Sequence, residues 1–274
     1  MTRVAPWRTL VHGCHEGSLA PLQRDGRESR MFRRATRTLL AIVMVMSGML
    51  LGVGATSGTA HADSCYTWNR TLSQGSSGSD VTQLQIRVAG WVTSGERLSY
   101  DGSYGARTTA AVKKFQAAYG LTADGVAGPA TFSKIYALQD ADCTPIHFSY
   151  AELNKCNSDW SGGAVPAATA KANALKTMWK LEALRHALGD VPITVSSGFR
   201  SYSCNSAVGG SATSRHLYGD AADLVGSPSF CTLARQSRVH GFSEILGPGY
   251  PGHNDHTHVA FRPSQFWSAP TCGM

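Results

Sequence analysis

The sequence predicts an α+β fold preceded by a small all-α domain of three helices. Residues 72–138 contain helical stripes of apolar side chains joined by a short repeat, whereas residues 166–196 are typical of one long helix followed by a strand. Helices followed by short strands with long connections indicate an α+β domain, because parallel βαβ units would alternate along the chain. We expect the boundary near Cys143, which gives predicted domains at residues 63–143 and 144–274 after a leader at residues 1–62.

Composition excludes several classes of protein. Of 274 residues, 42% are hydrophobic and 16% are charged, which is too apolar for a disordered chain. The 29 glycines follow no three-residue period, so a collagen is excluded. The net charge of +7 is concentrated at the start, where residues 1–62 hold eight Lys or Arg against three Asp or Glu. The rest of the chain is nearly balanced, so the charge gives no argument for nucleic-acid binding.

The first 62 residues have the organisation of an export signal. Arginines at positions 33, 34 and 37 precede an apolar run, Leu39 to Val53, and small residues lead to Ala60-His61-Ala62. A basic segment, an apolar segment of this length and an A-x-A site predict a secretory signal peptide, cleaved after Ala62. The alternative is a retained membrane anchor, but a span needs about 20 apolar residues and serine and glycine interrupt this run. Met31 would be a more typical start than Met1.

The cysteines agree with export. Cys14 lies in the leader, and an even number remains beyond it, which favours disulfides in an exported chain. Fifteen pairings are possible, and the order along the chain favours neighbours. The absence of a C-x-x-C pair argues against a thiolate zinc site. The six cysteines are Cys65, Cys143, Cys156, Cys204, Cys231 and Cys272.

The first predicted domain contains an internal repeat. The segment Asp101–Thr108 recurs as Asp124–Thr131, with the shared pattern D-G-x-x-G-x-x-T. The aspartate and glycines favour a turn, and the threonine could cap the helix that follows. Three short helices with such turns resemble the peptidoglycan-binding module of bacterial wall hydrolases. The residues that carry this resemblance are Gly78, Val81, Leu84-Gln85, Phe115-Gln116, Gly120-Leu121 and Asp124-Gly125.

The second predicted domain begins with a long helix. Pro166 suits a first helical turn, an apolar stripe follows to Leu188, and Gly189 can end the helix. The segment Pro192–Ser196 then predicts a strand that leads into Gly198-Phe199-Arg200.

Histidines and aspartates with metal-ligand spacing are concentrated near the C-terminus. His216 and Asp223 are seven residues apart with Gly219 between them, so the backbone can turn to bring both to one centre. His256 and His258 are two apart and would share one face of a strand. Imidazole and carboxylate ligands suit Zn²⁺, which in catalytic sites keeps three protein ligands and a water. An isolated H-x-H pair is more often structural, and we interpret His147, His186 and His240 as structural.

The combined motifs resemble those of the zinc D-Ala-D-Ala carboxypeptidase family. They are S-x-H-x-x-G-x-A-x-D, running from Ser214 to Asp223, and D-H-x-H at 255–258, and the likeness extends over residues 63–274. The resemblance implies a small central antiparallel sheet flanked by helices, disulfides between neighbouring cysteines and one zinc ion per chain. The implied roles are zinc ligation by His216, Asp223 and His258, general base catalysis by Asp255, oxyanion stabilisation by His256 and substrate binding by Arg200.

The function expected from this resemblance is hydrolysis of the terminal D-Ala-D-Ala bond of peptidoglycan stem peptides by a zinc-activated water. Two alternatives stay open, an endopeptidase that cuts peptidoglycan cross-bridges and a wall-binding zinc protein without catalysis. Arg200 could also make only a surface ion pair. A serine peptidase is disfavoured because S-x-x-K, S-D-N and K-T-G are absent as a set. We expect a secreted, wall-associated monomer without a membrane span and without nucleic-acid partners.

Overall fold

The described part of the chain begins with a helical region. The computed structural model of the chain describes residues 65–274, and the predicted leader lies outside them. Between residues 65 and 143 the chain forms α1 (Ser79–Arg87), α2 (Ala106–Ala118) and α3 (Pro129–Ala137). Their apolar faces form one buried cluster with Trp68 and Leu72.

Each copy of the sequence repeat is held by a glutamine from the preceding helix. Gln85 Nε2 donates to Asp101 Oδ1 (3.0 Å) and Thr108 Oγ1 (3.2 Å), and its Oε1 accepts from the amide of Gly102. Gln116 makes the equivalent bonds to the second copy. The prediction that the threonines cap their helices is wrong, because glycines occupy the cap positions and the threonines lie inside the first turn. There they accept a hydrogen bond that fixes the turn to the helix before it.

The remaining residues form an α+β arrangement around a long helix. In order, the elements are α4 (Tyr150–Leu153), α5 (Ala167–Ala187), β1 (Thr194–Ser197), α6 (Tyr202–Ala207), β2 (Ala221–Val225), α7 (Phe230–Ser237), β3 (Glu244–Leu246), β4 (Thr257–Ala260) and β5 (Phe266–Ser268). Short 3₁₀ helices cover Arg215–Tyr218 and Pro270–Cys272.

The strands form one sheet in the order β1-β2-β4-β3-β5. Neighbours from β1 to β3 are antiparallel, as the family resemblance implied, but β5 runs parallel to β3. The sheet is therefore mixed: its central strands are antiparallel, and only the edge strand β5 is parallel to its neighbour. The segment that connects β4 to β5 is short and has no periodic pattern of apolar residues. The sequence therefore does not reveal the direction of β5.

Helix α5 is buried on more than one face. Met178, Leu181 and Leu184 belong to the cluster that packs under the sheet. Trp179 and Ala183, on another face of the helix, belong to the cluster of the N-terminal helices. All described residues lie in one compact unit, and the predicted domain division at residues 143 and 144 stays a prediction.

Three disulfides join neighbouring cysteines along the chain. They are Cys65–Cys143, Cys156–Cys204 and Cys231–Cys272, the pairing favoured by sequence order. Among residues 65–274, no helix combines the length and the apolar character needed to cross a bilayer.

Candidate metal centre

Two of the predicted ligands face each other across adjacent strands. Asp223 of β2 is the register partner of His258 of β4, so both side chains project from the same face of the sheet. Both residues are buried, with 5% and 4% of their surface exposed. His258 Nδ1 lies 2.9 Å from Asp223 Oδ1. The register of one antiparallel strand pair thus brings together residues 35 positions apart in the chain.

The third predicted ligand reaches the same point through a tight turn. His216 lies in the 3₁₀ helix Arg215–Tyr218, which ends at Gly219 in the left-handed conformation (φ 74°). A Cβ at Gly219 would also collide with the carbonyl of Ala170 in α5, so only glycine fits there. His216 Nε2 lies 3.1 Å from both Asp223 Oδ1 and His258 Nδ1. Side-chain donor atoms of these three residues could together hold a metal ion.

The outer nitrogens of the two histidines are bound away from this point. His216 Nδ1 donates to the carbonyl of Gly198 (2.5 Å), and His258 Nε2 donates to Glu244 Oε1 (3.2 Å). Such outer hydrogen bonds set the tautomer and leave the inner nitrogen with its lone pair directed inward. Two imidazole lone pairs and a carboxylate oxygen therefore converge on one small volume. Converging lone pairs repel one another unless a cation lies between them.

The ionisation of the cluster supports the same conclusion. Burial on its own would raise the pKa of Asp223, but the charges and hydrogen bonds of His216 and His258 hold it well below its usual range. Burial lowers the pKa of His216. Burial would also lower the pKa of His258, but hydrogen bonds to Asp223 and Glu244 raise it to about 9. The site thus stabilises one positive charge, either a proton on His258 or a metal cation that replaces it.

The donor set and its spacing fit zinc. Zinc binds imidazole nitrogen and carboxylate oxygen at about 2.0–2.2 Å in tetrahedral sites, so neighbouring ligand atoms lie about 3.3 Å apart. The separations of 2.9–3.1 Å among His216, Asp223 and His258 are close to that value. Two histidines and a carboxylate leave one tetrahedral position for water or substrate.

Arg200 fixes the other oxygen of the aspartate. Its Nη2 donates to Asp223 Oδ2 at 2.6 Å, and its Nε donates to Ser197 Oγ at 2.9 Å. The guanidinium therefore balances part of the buried negative charge and holds Asp223 with Oδ1 toward the histidines. Arg200 is half-buried and lines the same cavity, so it lies within the site rather than in an isolated surface ion pair.

His256 and Asp255 form a hydrogen-bonded pair at the edge of the cluster. His256 precedes β4, and its Nε2 lies 3.6 Å from Asp223 Oδ1. Its Nδ1 donates to Asp255 Oδ1 at 2.8 Å. The Asp255 side chain is 89% exposed, and the hydrogen bond from His256 lowers its pKa. The structure therefore brings His256 to the ligands and places Asp255 behind it, on the side toward solvent.

The cluster forms the floor of an open cavity of about 840 Å³. Its walls are the loop after α6, the loop between β3 and β4, and the segment between β4 and β5. This volume is ample for a short peptide. Besides the ligands, the lining includes Val208, Tyr250, His253, Arg262 and Phe266.

Glu244 is a site residue that the sequence interpretation missed. It lies on β3 next to β4, where Leu246 is the register partner of His258 and Glu244 that of Ala260. The residue two positions from a register partner lies on the same face, so a carboxylate at position 244 is within reach of His258. A single acidic residue ahead of two apolar residues, Ile245 and Leu246, was the available signal. The three-residue strand was too short to be recognised.

Two family models match the chain. One, described as Peptidase M15, covers residues 146–260, and the other, described as a putative peptidoglycan binding domain, covers residues 77–135. The first span contains the metal cluster, Arg200, Asp255 and His256. The second contains α1, α2 and both copies of the repeat.

The chain is also similar to curated proteins. It is 62% identical over 248 residues to the zinc D-Ala-D-Ala carboxypeptidase of Streptomyces albus G, which covers 86% of this chain and 97% of that protein. It is 33% identical over 119 residues to the N-acetylmuramoyl-L-alanine amidase CwlL of Bacillus licheniformis, over 43% of this chain and 31% of that enzyme.

Among solved structures, a peptidoglycan-binding protein from Clostridioides difficile matches 24% of this chain and 39% of its own. The identity is 39% and the TM-score 0.22.

Proposed function

The chain belongs to the zinc D-Ala-D-Ala carboxypeptidase family, and from this premise we propose how its site acts on peptidoglycan. The protein is a zinc peptidase that hydrolyses the terminal D-Ala-D-Ala bond of stem peptides. The observation that carries the proposal is the buried His216, Asp223 and His258 cluster, with its donor atoms converging on the floor of an open cavity. A cavity closed over the cluster would favour a structural metal, whereas an open one admits substrate.

We propose that these three residues hold one zinc ion per chain. A bound zinc ion supplies a Lewis acid that polarises the scissile carbonyl and lowers the pKa of a nearby water. The protein supplies the orientation, because Gly198 and Glu244 fix the two imidazoles and Arg200 fixes the carboxylate.

Proton transfer is assigned to the Asp255–His256 pair. Asp255, whose Oδ1 accepts from His256 Nδ1, is the proposed base that takes the proton of the attacking water and passes it to the leaving amine once substrate has bound beside it. An exposed carboxylate is a weak base in the free enzyme, and substrate that covers the cavity edge would raise its pKa by removing water. His256, with Nε2 toward the ligands, donates to the developing oxyanion.

Arg200 is proposed to bind the free carboxylate of the substrate. One of its terminal nitrogens is engaged by Asp223 and its Nε by Ser197, which leaves Nη1 as the donor that would face the cavity. A guanidinium fixed in this way recognises a carboxylate without losing further side-chain entropy. This favours substrates with a free C-terminus, and it favours carboxypeptidase over endopeptidase activity.

The location and the assembly state are part of the proposal. The predicted signal peptide at residues 1–62, the three disulfides and the peptidoglycan-binding match support a secreted protein associated with the cell wall, and we propose that it acts as a monomer. Disulfides persist in oxidising surroundings outside the cytosol.

The test is mass spectrometry of the products that residues 63–274 release from purified peptidoglycan. We expect free D-alanine and stem peptides shortened by one residue, and no release after chelation. Conversion of cross-linked dimers to monomers without free D-alanine would instead support an endopeptidase. Sacculi that are bound but chemically unchanged would support a wall-binding protein without catalysis.

A further inference from the structure

A loop of the peptidoglycan-binding region contacts the wall of the active-site cavity. The loop, residues 93–98, connects the end of α1 to the segment before α2. Arg97 Nη1 donates to the carbonyl of Arg262 (2.7 Å), and Nη2 donates to the carbonyl of Pro263 (3.0 Å). The planar guanidinium is well suited to bind two successive carbonyls, because its donors are fixed in a fork.

Further contacts strengthen this attachment. The amide of Gly95 donates to the carbonyl of Arg238 at 3.1 Å, just after α7. The guanidinium of Arg97 also lies 5.2 Å from the ring of Phe261, at cation–π distance. The loop thus meets both the end of α7 and the chain that leaves β4.

The two residues held by Arg97 line the cavity. Arg262 and Pro263 belong to its wall, between β4 and β5. The backbone of Arg262 is fixed from the other side by Ser243, whose Oγ donates to its carbonyl (2.8 Å) and accepts from its amide (2.7 Å). The carbonyl of Arg262 is therefore shared between a hydroxyl of the peptidase region and a guanidinium of the peptidoglycan-binding region.

The same residue connects the wall to the proposed zinc ligands. Arg262 Nη1 lies 3.3 Å from Glu244 Oε2, and Glu244 Oε1 accepts from His258 Nε2. A continuous series of contacts thus runs from Arg97 to the backbone of Arg262, then to Glu244 and His258. A displaced 261–263 segment would move the Arg262 side chain, which lines the cavity.

We propose that Arg97 is a positioning residue for hydrolysis, and that the peptidoglycan-binding region supports the substrate-binding wall in addition to attaching the enzyme to the sacculus. The kinetic test of this inference rests on the proposed function, because it measures hydrolysis. Because Arg97 contacts the cavity wall and not the ligand cluster, its loss should weaken substrate binding more than turnover.

The experiment compares Arg97→Ala with Arg107→Ala in the chain 63–274. Arg107 is an exposed arginine of α2 in the same region, so its loss removes the same charge away from the cavity. With a soluble acyl-D-Ala-D-Ala tripeptide, we expect Arg97→Ala to raise KM about 10-fold with kcat changed less than twofold. Arg107→Ala should retain the wild-type KM, and both variants should bind one zinc ion.

A second readout is independent of catalysis. Amide hydrogen exchange of residues 261–266 should be faster in Arg97→Ala than in Arg107→Ala. Arg97→Lys, which keeps the charge on a single nitrogen but lacks the planar fork, should be intermediate in exchange and in KM. Wild-type KM and exchange in Arg97→Ala would overturn the inference, as would equal changes in both arginine variants. If the wild-type chain releases no D-alanine, the proposed function fails, and the exchange comparison still decides whether Arg97 supports the wall. If Arg97→Ala does not fold, Arg97→Lys replaces it in the comparisons of KM and of amide exchange.

Discussion

Asp223 and Asp255 show how the surroundings of a carboxylate determine its chemical role. Asp223 is buried, ionised and bound by Arg200, with one oxygen directed at two imidazoles. Asp255 is exposed. Within the site, its hydrogen bond is the one that its Oδ1 accepts from Nδ1 of His256, on the side away from the metal ligands. The first arrangement suits a metal ligand, and the second suits a group that exchanges protons with solvent.

Substitution should therefore separate the two aspartates. Asp223→Ala should abolish zinc binding and activity together, because one of three ligands is lost. Asp255→Asn should keep one zinc ion per chain while kcat falls about 10²–10⁴-fold, since an amide fills the same space but accepts no proton at neutral pH. Zinc content and kcat are measured on both variants after circular dichroism shows that they are folded. Loss of zinc from Asp255→Asn, or normal turnover by Asp223→Ala, would reverse the assignment.

The sequence motifs named residues that lie close together in the structure, but not the residues that hold them in place. Spacing predicted that His216 lies near Asp223 and that His256 and His258 share a face, because a turn glycine and a period of two allow it, whereas the meeting of the two pairs depends on the pairing of β2 with β4. Glu244 was missed since its role depends on which strand lies beside β4. The contact between Arg200 and Asp223 also depends on pairing between β1 and β2, which sequence spacing does not contain.

At the scale of elements, α5 is the surface on which the helical region and the sheet both pack. Its predicted stripe was correct for Met178, Leu181 and Leu184. Trp179 and Ala183 extend beyond that stripe, because the helix has partners on a second face. Periodicity finds the apolar face of a helix but not how many neighbours cover it. The parallel pairing of β5 was unpredictable for a similar reason, since it depends on long-range contacts.

Substitution of Gly90 tests the packing of the helical region against α5. A Cβ at position 90 would overlap Ala183 Cβ and lie 3.0–3.1 Å from the Lys180 backbone, which a helix cannot move aside. We expect Gly90→Ala to lower the free energy of unfolding by about 1–3 kcal/mol, as for other overpacked sites. The measurement is urea denaturation.

Gly105→Ala is the matched control, because a Cβ there meets nothing within 4 Å. It changes only a helix-cap preference and should cost less than about 1 kcal/mol. Equal effects of the two substitutions would show that the segment after α1 does not pack closely against α5.

At the scale of the whole molecule, His240 joins the peptidase region to the peptidoglycan-binding region. Its Nδ1 donates to the carbonyl of Gly90 at 2.8 Å, and its ring lies beside Trp91. Among the described residues, its buried Nε2 has no hydrogen-bond partner. Burial, aided by the charge of Lys114, lowers the pKa of His240 from 6.5 to about 4.

This lowered pKa predicts a loss of stability in acid. Between pH 6.5 and 4 the unfolded chain binds a proton at position 240 that the folded chain does not, so stability falls as pH falls through this range. By pH 5 the loss at this site should be about 2 kcal/mol. His240→Asn keeps a donor for Gly90 and does not titrate. The free energy of unfolding should therefore decrease less in the variant between pH 7 and 5, and parallel profiles would contradict the assigned pKa.

The two regions are thus connected by more than a linker. His240, Trp179 and Arg97 each join the peptidoglycan-binding region to the rest of the molecule, by a hydrogen bond, by core packing and by contact with the cavity wall. The sequence predicted both regions separately, because each has its own motifs. Their contact surface was not predictable, since residues at an interface between two packed regions follow neither helical nor strand periodicity consistently.

The central claim is that one zinc ion at His216, Asp223 and His258 carries hydrolysis of D-Ala-D-Ala. The most direct measurement is titration of metal-free protein, residues 63–274, with Zn²⁺ while D-alanine release from a soluble D-Ala-D-Ala tripeptide is followed. The account predicts no release from the metal-free chain, activity that rises linearly to a plateau at one zinc per chain, and no recovery in Asp223→Ala. Full D-alanine release by protein that elemental analysis shows to be free of metal would contradict it.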